Sequence, residues 1–252
     1  MTQPPEWLNT LTGRNLLREE VRQVRRALDG IFGDQFLQIG GWGDAGLFRR
    51  LARTRRSAVI TESLVPGSDA VSAADALAIA TDAIDAVLLP HTLELADDPH
   101  AVLREVDRIL RPDGNLVALG FNPWGWWGLR HRTSRRGFPP GAQRMISDGR
   151  LCDWLRLLEF RVHHSAFYYF VPPLLRGASP RQGMAREPSS PRTSANLAAR
   201  GLGIFRRVPA FAGCYILVAR KQTYVVTPIR PAWRRRTALV GGLVNPTTRN
   251  AA

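Results

Sequence analysis

Residues 85–120 read DAVLLPHTLELADDPHAVLREVDRILRPDGNLVALG. Ile84 to Leu89 is a short run, apolar but for Asp85, the pattern of a strand buried on both faces. Asp98 can accept from the free N–H groups of a helix start, and Pro99 suits the first helical position. Val102, Val106 and Ile109 then recur at helical spacing, which predicts a helix from Asp98 to Leu110. Pro112, Asp113 and Gly114 stop it and turn the chain into a second apolar run, Leu116 to Phe121. Strand, helix and strand at these lengths form a βαβ unit with parallel strands and a right-handed crossover.

Upstream, the pattern repeats. In residues 14–29, Leu17, Val21, Val24 and Leu28 form one helical stripe with Arg and Glu on the other faces, and Gly30 ends it. Phe36 to Ile39 reads as a buried first strand, and Asp44 to Arg53 as a helix. Ala58 to Thr61 reads as a second strand closed by Glu62, and Ser68 to Ala74 as a weak third one ending at Asp75. The class is α/β, a Rossmann-like parallel sheet with helices on both faces, and ligands in such sheets sit outside the carboxyl ends of the strands. The loops starting at Gly40, Glu62, Asp75 and Pro90 therefore surround one crevice.

Downstream, three tryptophans stand among Arg130, Arg132, Arg135 and Arg136 without strand or helix periodicity, predicting a loop or short helices. A helix capped by Ser147 follows, with Leu151, Trp154, Leu155 and Leu158 on one side. Phe160 to Phe170 and Gly213 to Ala219 read as strands. Residues 176–196, rich in Pro, Ser, Arg and Gly, read as a flexible insertion, so that 1–225 form a single domain and 226–252 a loosely held basic tail.

Composition bounds the class of protein. A chain of 252 residues with 44% hydrophobic residues supports one large domain with a real core. No apolar run approaches the ~18 to 20 residues of a membrane helix, and residues 1–14 lack the layout of a secretory signal, which places the chain in the cytoplasm. Cys152 and Cys214 stand singly in apolar patterns, as buried small hydrophobes rather than metal ligands or a redox pair. Thirty-five Lys and Arg against twenty-one Asp and Glu give a net charge of +14. The Arg130–Arg136 and Arg234–Arg236 clusters suit nucleic acid or an anionic membrane surface, and an Arg-rich composition accounts for them equally well.

The Asp85–Gly120 stretch closely resembles the central signature of class I S-adenosylmethionine-dependent methyltransferases of the small-molecule type. Asp85, His91, Leu93, Glu94, Asp98, Pro99, Glu105, Arg108, Pro112, Asp113 and Gly114 carry the resemblance, which extends over about residues 14–121. It implies a mostly parallel seven-stranded sheet whose last strand is antiparallel, S-adenosylmethionine as cofactor, and methyl transfer to a small or lipid-like acceptor. Gly41, Gly43 and Gly46 also satisfy G-x-G-x-x-G, but the helix ahead of the first strand favours the methyltransferase reading over a dinucleotide enzyme. The first glycine loop departs from the family: Gln38 replaces an acid, and Trp42 and Asp44 stand at glycine positions. Those departures motivate a second reading, an inactive scaffold of the same fold, and the net charge a third, an RNA-modifying protein.

The resemblance assigns the cofactor to Gln38, Gly40, Gly41, Gly43, Glu62, Asp75, Ala76, Pro90 and His91. Glu62 stands 22 residues after Gly40, where a carboxylate accepts the ribose hydroxyls, and Asp75 with the Ala76 N–H takes the adenine. His91 is a candidate general base or a residue lining the pocket. Trp124, Trp126 and Trp127 are assigned to a lid or substrate-stacking role, with packing over apolar surface as the plainer alternative. Asp85 and Glu105 are read as structural, no metal site is assigned, and no obligate protein partner is implied.

Overall fold

The computed structural model describes residues 6–44, 46–134, 137–171 and 211–222. The expected insertion at 176–196 and the tail from 226 lie outside the described residues. Seven strands form one sheet: β1 (Phe32–Ile39), β2 (Arg53–Thr61), β3 (Ala70–Val71), β4 (Ile84–Pro90), β5 (Leu110–Phe121), β6 (Phe160–Tyr168) and β7 (Cys214–Lys221). Their order is β3-β2-β1-β4-β5-β7-β6. β1 to β5 pair in parallel, and β7 runs antiparallel to both β5 and β6.

Alternation along the central strands separates two cores. Leu37, Ile39, Val87, Leu89, Leu116 and Ala118 face α3 (Pro99–Ile109) and α5 (Asp148–Leu157). Phe36, Ala86, Leu88, Val117 and Leu119 face α1 (Leu11–Leu28) and α4 (Trp126–Thr133). The βαβ unit forms as expected, with the Asp98 carboxylate accepting from the N–H groups of His100 (2.9 Å) and Ala101 (3.2 Å). The Ser147 hydroxyl likewise accepts from Arg150 N at 3.3 Å at the head of α5.

Three local readings are corrected. The buried residues of α1 are Gly13, Leu16, Glu20, Val24 and Leu28, while Leu17 and Val21 are only partly buried, so a glutamate occupies the inward stripe. The helix expected from Asp44 to Arg53 is a turn followed by a short 3-10 helix, Arg49–Leu51. Asp44 causes this: its side chain accepts from Gly46 N at 3.3 Å and its carbonyl from Leu47 N at 2.8 Å, closing a local turn that competes with a helix. β3 shrinks to two residues because Ala73 and Ala76 pair across a tight turn directly after it.

The order of pairing reverses at β1 and β4, which send their crossovers to opposite sides. That switch point opens a crevice at the carboxyl ends of the strands.

Candidate functional site at the carboxyl ends of β1, β2 and β4

A cavity of about 330 Å³ opens at that switch point. Its floor is Ile39, Gly40 and Gly41 after β1, with Thr61 and Glu62 at the end of β2. Pro90 and Thr92 bound it beside β4, and Pro140, Gly141 and Gln143 close the far side. Gly40 sits at φ +107°, and a Cβ there would lie 2.6 Å from Thr92 Oγ1, so the turn requires glycine on both counts. Its N–H continues the sheet to Ile60 O at 2.8 Å.

The hydroxyls on the cavity wall are committed to the chain itself. Thr61 donates to Ser63 O, Ser72 to Ala76 O and Thr92 to Ile39 O. Two carboxylates, Glu62 and Asp97, stand on the same wall. Asp97 accepts from Gln143 Nε2 at 2.9 Å and, through its carbonyl, from Arg144 at 2.8 Å, tying the closing segment to the loop after α2 (Thr92–Leu95). The polar character of the wall is therefore that of an acceptor, in a chain of net charge +14.

Of the residues expected to hold a cofactor, Gly40, Gly41, Glu62 and Pro90 line the cavity. Asp75 and Ala76 do not: Asp75 is exposed, and the Ala76 N–H is bonded to Ala73 O at 3.2 Å, so Ser72 and Ala74 take the wall. Gly43, at φ +68°, turns the loop away under α1, where Leu17 packs against it. Gln38 is fully buried; its Nε2 donates to Gly40 O at 3.0 Å, while its Oε1 has no partner.

His91 lies behind the cavity rather than on its wall, with no exposed surface. It adopts φ +56° at the head of α2, held by its N–H to Leu119 O at 3.1 Å. Nδ1 meets Glu94 Oε2 at 2.9 Å and Nε2 meets Glu20 Oε1 at 3.0 Å. The second Glu20 oxygen accepts from the Trp42 indole N–H at 2.8 Å, and Glu94 Oε1 accepts from Phe121 N at 2.7 Å. The imidazole stacks between Trp42 (4.4 Å) and Phe121 (4.0 Å). Burial opposes the imidazolium, but bonds to Glu20 and Glu94 outweigh it and push the pKa up to about 9. Burial raises the Glu94 carboxyl against the pull of the same imidazolium. Cys214 Sγ lies within 4.8 Å of ligand-capable atoms of Glu20 and His91, yet both ring nitrogens are committed to carboxylates, the geometry of an ion network.

Trp42 therefore points away from the crevice and leaves it open. Sequence reasoning missed Glu20, the partner that holds the indole there; a glutamate on an Arg-rich helix carries no signal of burial. The tryptophans after β5 also stand elsewhere. Trp127 is an interior residue, its indole N–H on Val171 O at 3.0 Å and its ring stacked on Phe121, and Trp124 and Trp126 line a separate surface hollow. None of the three lines the cavity beside Gly40.

Residues 50–118 match the family described as methyltransferase domain. The mostly parallel seven-stranded sheet and the antiparallel β7 are those expected from the sequence resemblance. The chain has the fold of the class I methyltransferases. A solved S-adenosylmethionine-dependent methyltransferase from Archaeoglobus fulgidus is similar to it, with a TM-score of 0.57, 16% identity, and coverage of 82% of this chain and 94% of that one. A possible histamine N-methyltransferase from Thermotoga maritima also gives 0.57 at 19% identity, covering 86% of this chain and 94% of its own. Among curated proteins, the uncharacterized protein YafS of Escherichia coli is 34% identical over 152 residues, 60% of this chain and 54% of YafS. The chain spans about half the length of the curated relatives it matches. No helix among the described residues is long and apolar enough to cross a membrane.

Proposed function

We propose that the domain binds S-adenosylmethionine in the cavity between Gly40 and Glu62 and transfers its methyl group to a small or lipid-like acceptor. The observation that carries this reading is one carboxylate, Glu62, facing a glycine turn across a cavity of about 330 Å³ at the switch point of a methyltransferase sheet. The donor set suits the group: wall hydroxyls are internally bonded, so recognition falls to carboxylates, which accept from hydroxyls and from an ammonium. The unpartnered Gln38 Oε1 beside the turn is a further acceptor next to the amino-acid end of such a ligand.

When bound, the cofactor supplies a methyl group already activated on a sulfonium. Glu62 would accept the ribose hydroxyls, and the Gly40–Gly41 backbone would let the ligand approach without a side chain between. Pro140, Gly141 and Gln143 cover the cavity and exclude water. The rate then rests on alignment of acceptor and methyl rather than on proton transfer. His91, enclosed between two carboxylates and two aromatic rings, acts as a positioning residue for the turn after β4.

Calorimetric titration of S-adenosylmethionine and of S-adenosylhomocysteine tests the reading. Wild type is expected to bind both, and Glu62→Ala to weaken binding by about tenfold or more through loss of a charge-assisted bidentate contact. Because Glu62 is exposed, the melting temperature of the variant should stay within the small range of surface substitutions. Absence of heat with either ligand on folded wild type would overturn it.

A further inference from the structure

The hollow beside α4 carries an inference independent of the cofactor cavity. Trp124 is 69% exposed, Leu129 54% and Trp126 36%, an apolar cluster at the carboxyl end of β5. Trp126 and Leu129 share one face of α4 at i and i+3, and Trp127 on the opposite face is wholly buried, fixing the helix with that apolar face outward. Arg132 lies over the Trp124 ring at 5.3 Å, and the last turn of α4 carries Arg130, His131 and Arg132. Exposed tryptophan and leucine ringed by arginine is the composition of a membrane-interface element, its rings at headgroup depth and its cations on lipid phosphate.

We propose that this face docks the protein on an anionic phospholipid bilayer. Charge complementarity selects the occupant: a chain of net charge +14 presents these apolar side chains inside a basic rim. Stacked nucleic-acid bases would need open ring faces, but the Arg132 guanidinium takes one face of Trp124 and Trp126 packs on Phe211 at 5.8 Å. Aliphatic Leu129 adds nothing to base stacking and favours insertion into lipid. The cofactor cavity opens on the same carboxyl-end rim of the sheet, so docking brings its mouth toward the bilayer.

Vesicle co-sedimentation of the full chain tests this, using phosphatidylcholine alone and a mixture of roughly three parts phosphatidylcholine to one part phosphatidylglycerol. Wild type is expected to pellet with the anionic vesicles, with a blue shift of tryptophan emission and quenching by bromine-labelled lipid. Trp124→Ser with Leu129→Ser removes apolar surface without altering charge and should lower partitioning by about tenfold. Arg25→Ser with Arg26→Ser, on the exposed end of α1 at the opposite rim, changes more charge and should lower it less. Equal pelleting of wild type and the Trp124/Leu129 variant would overturn the proposal. So would equal binding to neutral vesicles, or loss in that variant of affinity for single-stranded RNA with no change toward vesicles. S-adenosylmethionine titration of the same variants, expected to match wild type, reads the folded state and the cofactor site separately.

Discussion

Position 42 carries an indole where the family carries a glycine, and Glu20 determines what that substitution does. A buried carboxylate bonded at once to an indole N–H and an imidazole cannot be removed without leaving both donors unpaired in a dry site. Glu20→Ala is expected to cost about 3 to 5 kcal/mol in urea unfolding, and Glu20→Gln less, because the amide oxygen still accepts. The same network sets a pH dependence. His91 binds its proton more tightly when folded, at about 9 against 6.5, so its contribution is complete below the lower value. It is lost as pH rises from 6.5 toward 9, because the folded state then holds the extra proton. The urea midpoint should fall across that window in wild type, and His91→Asn should flatten the fall. None of this was legible in the sequence. His91 was visible as a candidate, but its partners come from 71 residues upstream and from the next turn, and only the fold brings them together.

At the scale of elements, the sequence was most readable where local chemistry and tertiary demand agree. Asp98, Pro99 and the stripe through Val102, Val106 and Ile109 begin and orient α3 by rules that need no partner. Asp98→Ala should therefore lower stability modestly, read as a small downward shift in thermal melting with the folded baseline unchanged. Reading failed where the two disagree. Residues 44–53 have the leucine spacing of a helix, but Asp44 closes a turn on itself and Gly43 needs a left-handed backbone, so the segment crosses over with Phe48 as its buried anchor. On α1 the stripe was displaced by one position because charge was taken as a mark of the solvent face. At the cavity, Glu62 follows a clearly marked strand and lines the wall. Asp75 follows a featureless alanine-rich stretch, and a slip of one residue there moves a side chain from the cavity wall to solvent.

The sheet closes through the last strand among the described residues. β7 is inserted between β5 and β6, pairing with β5 from Asn115 to Phe121 and with β6 from Phe160 to Tyr168. It supplies Cys214, Ile216 and Leu217, all buried, to both cores, and Tyr215 reaches Ile146 O at 2.9 Å. A chain truncated at residue 210 should lose cooperative unfolding altogether, checked by calorimetry, since β6 is then left without a neighbour. This arrangement also bears on synthesis. About ninety residues separate the end of β5 from the start of β7, so at about 5 to 20 residues per second the ribosome leaves the outer edge of β5 without its partner for roughly 5 to 20 s. During that interval an apolar strand edge stands open to pairing with any other nascent chain nearby.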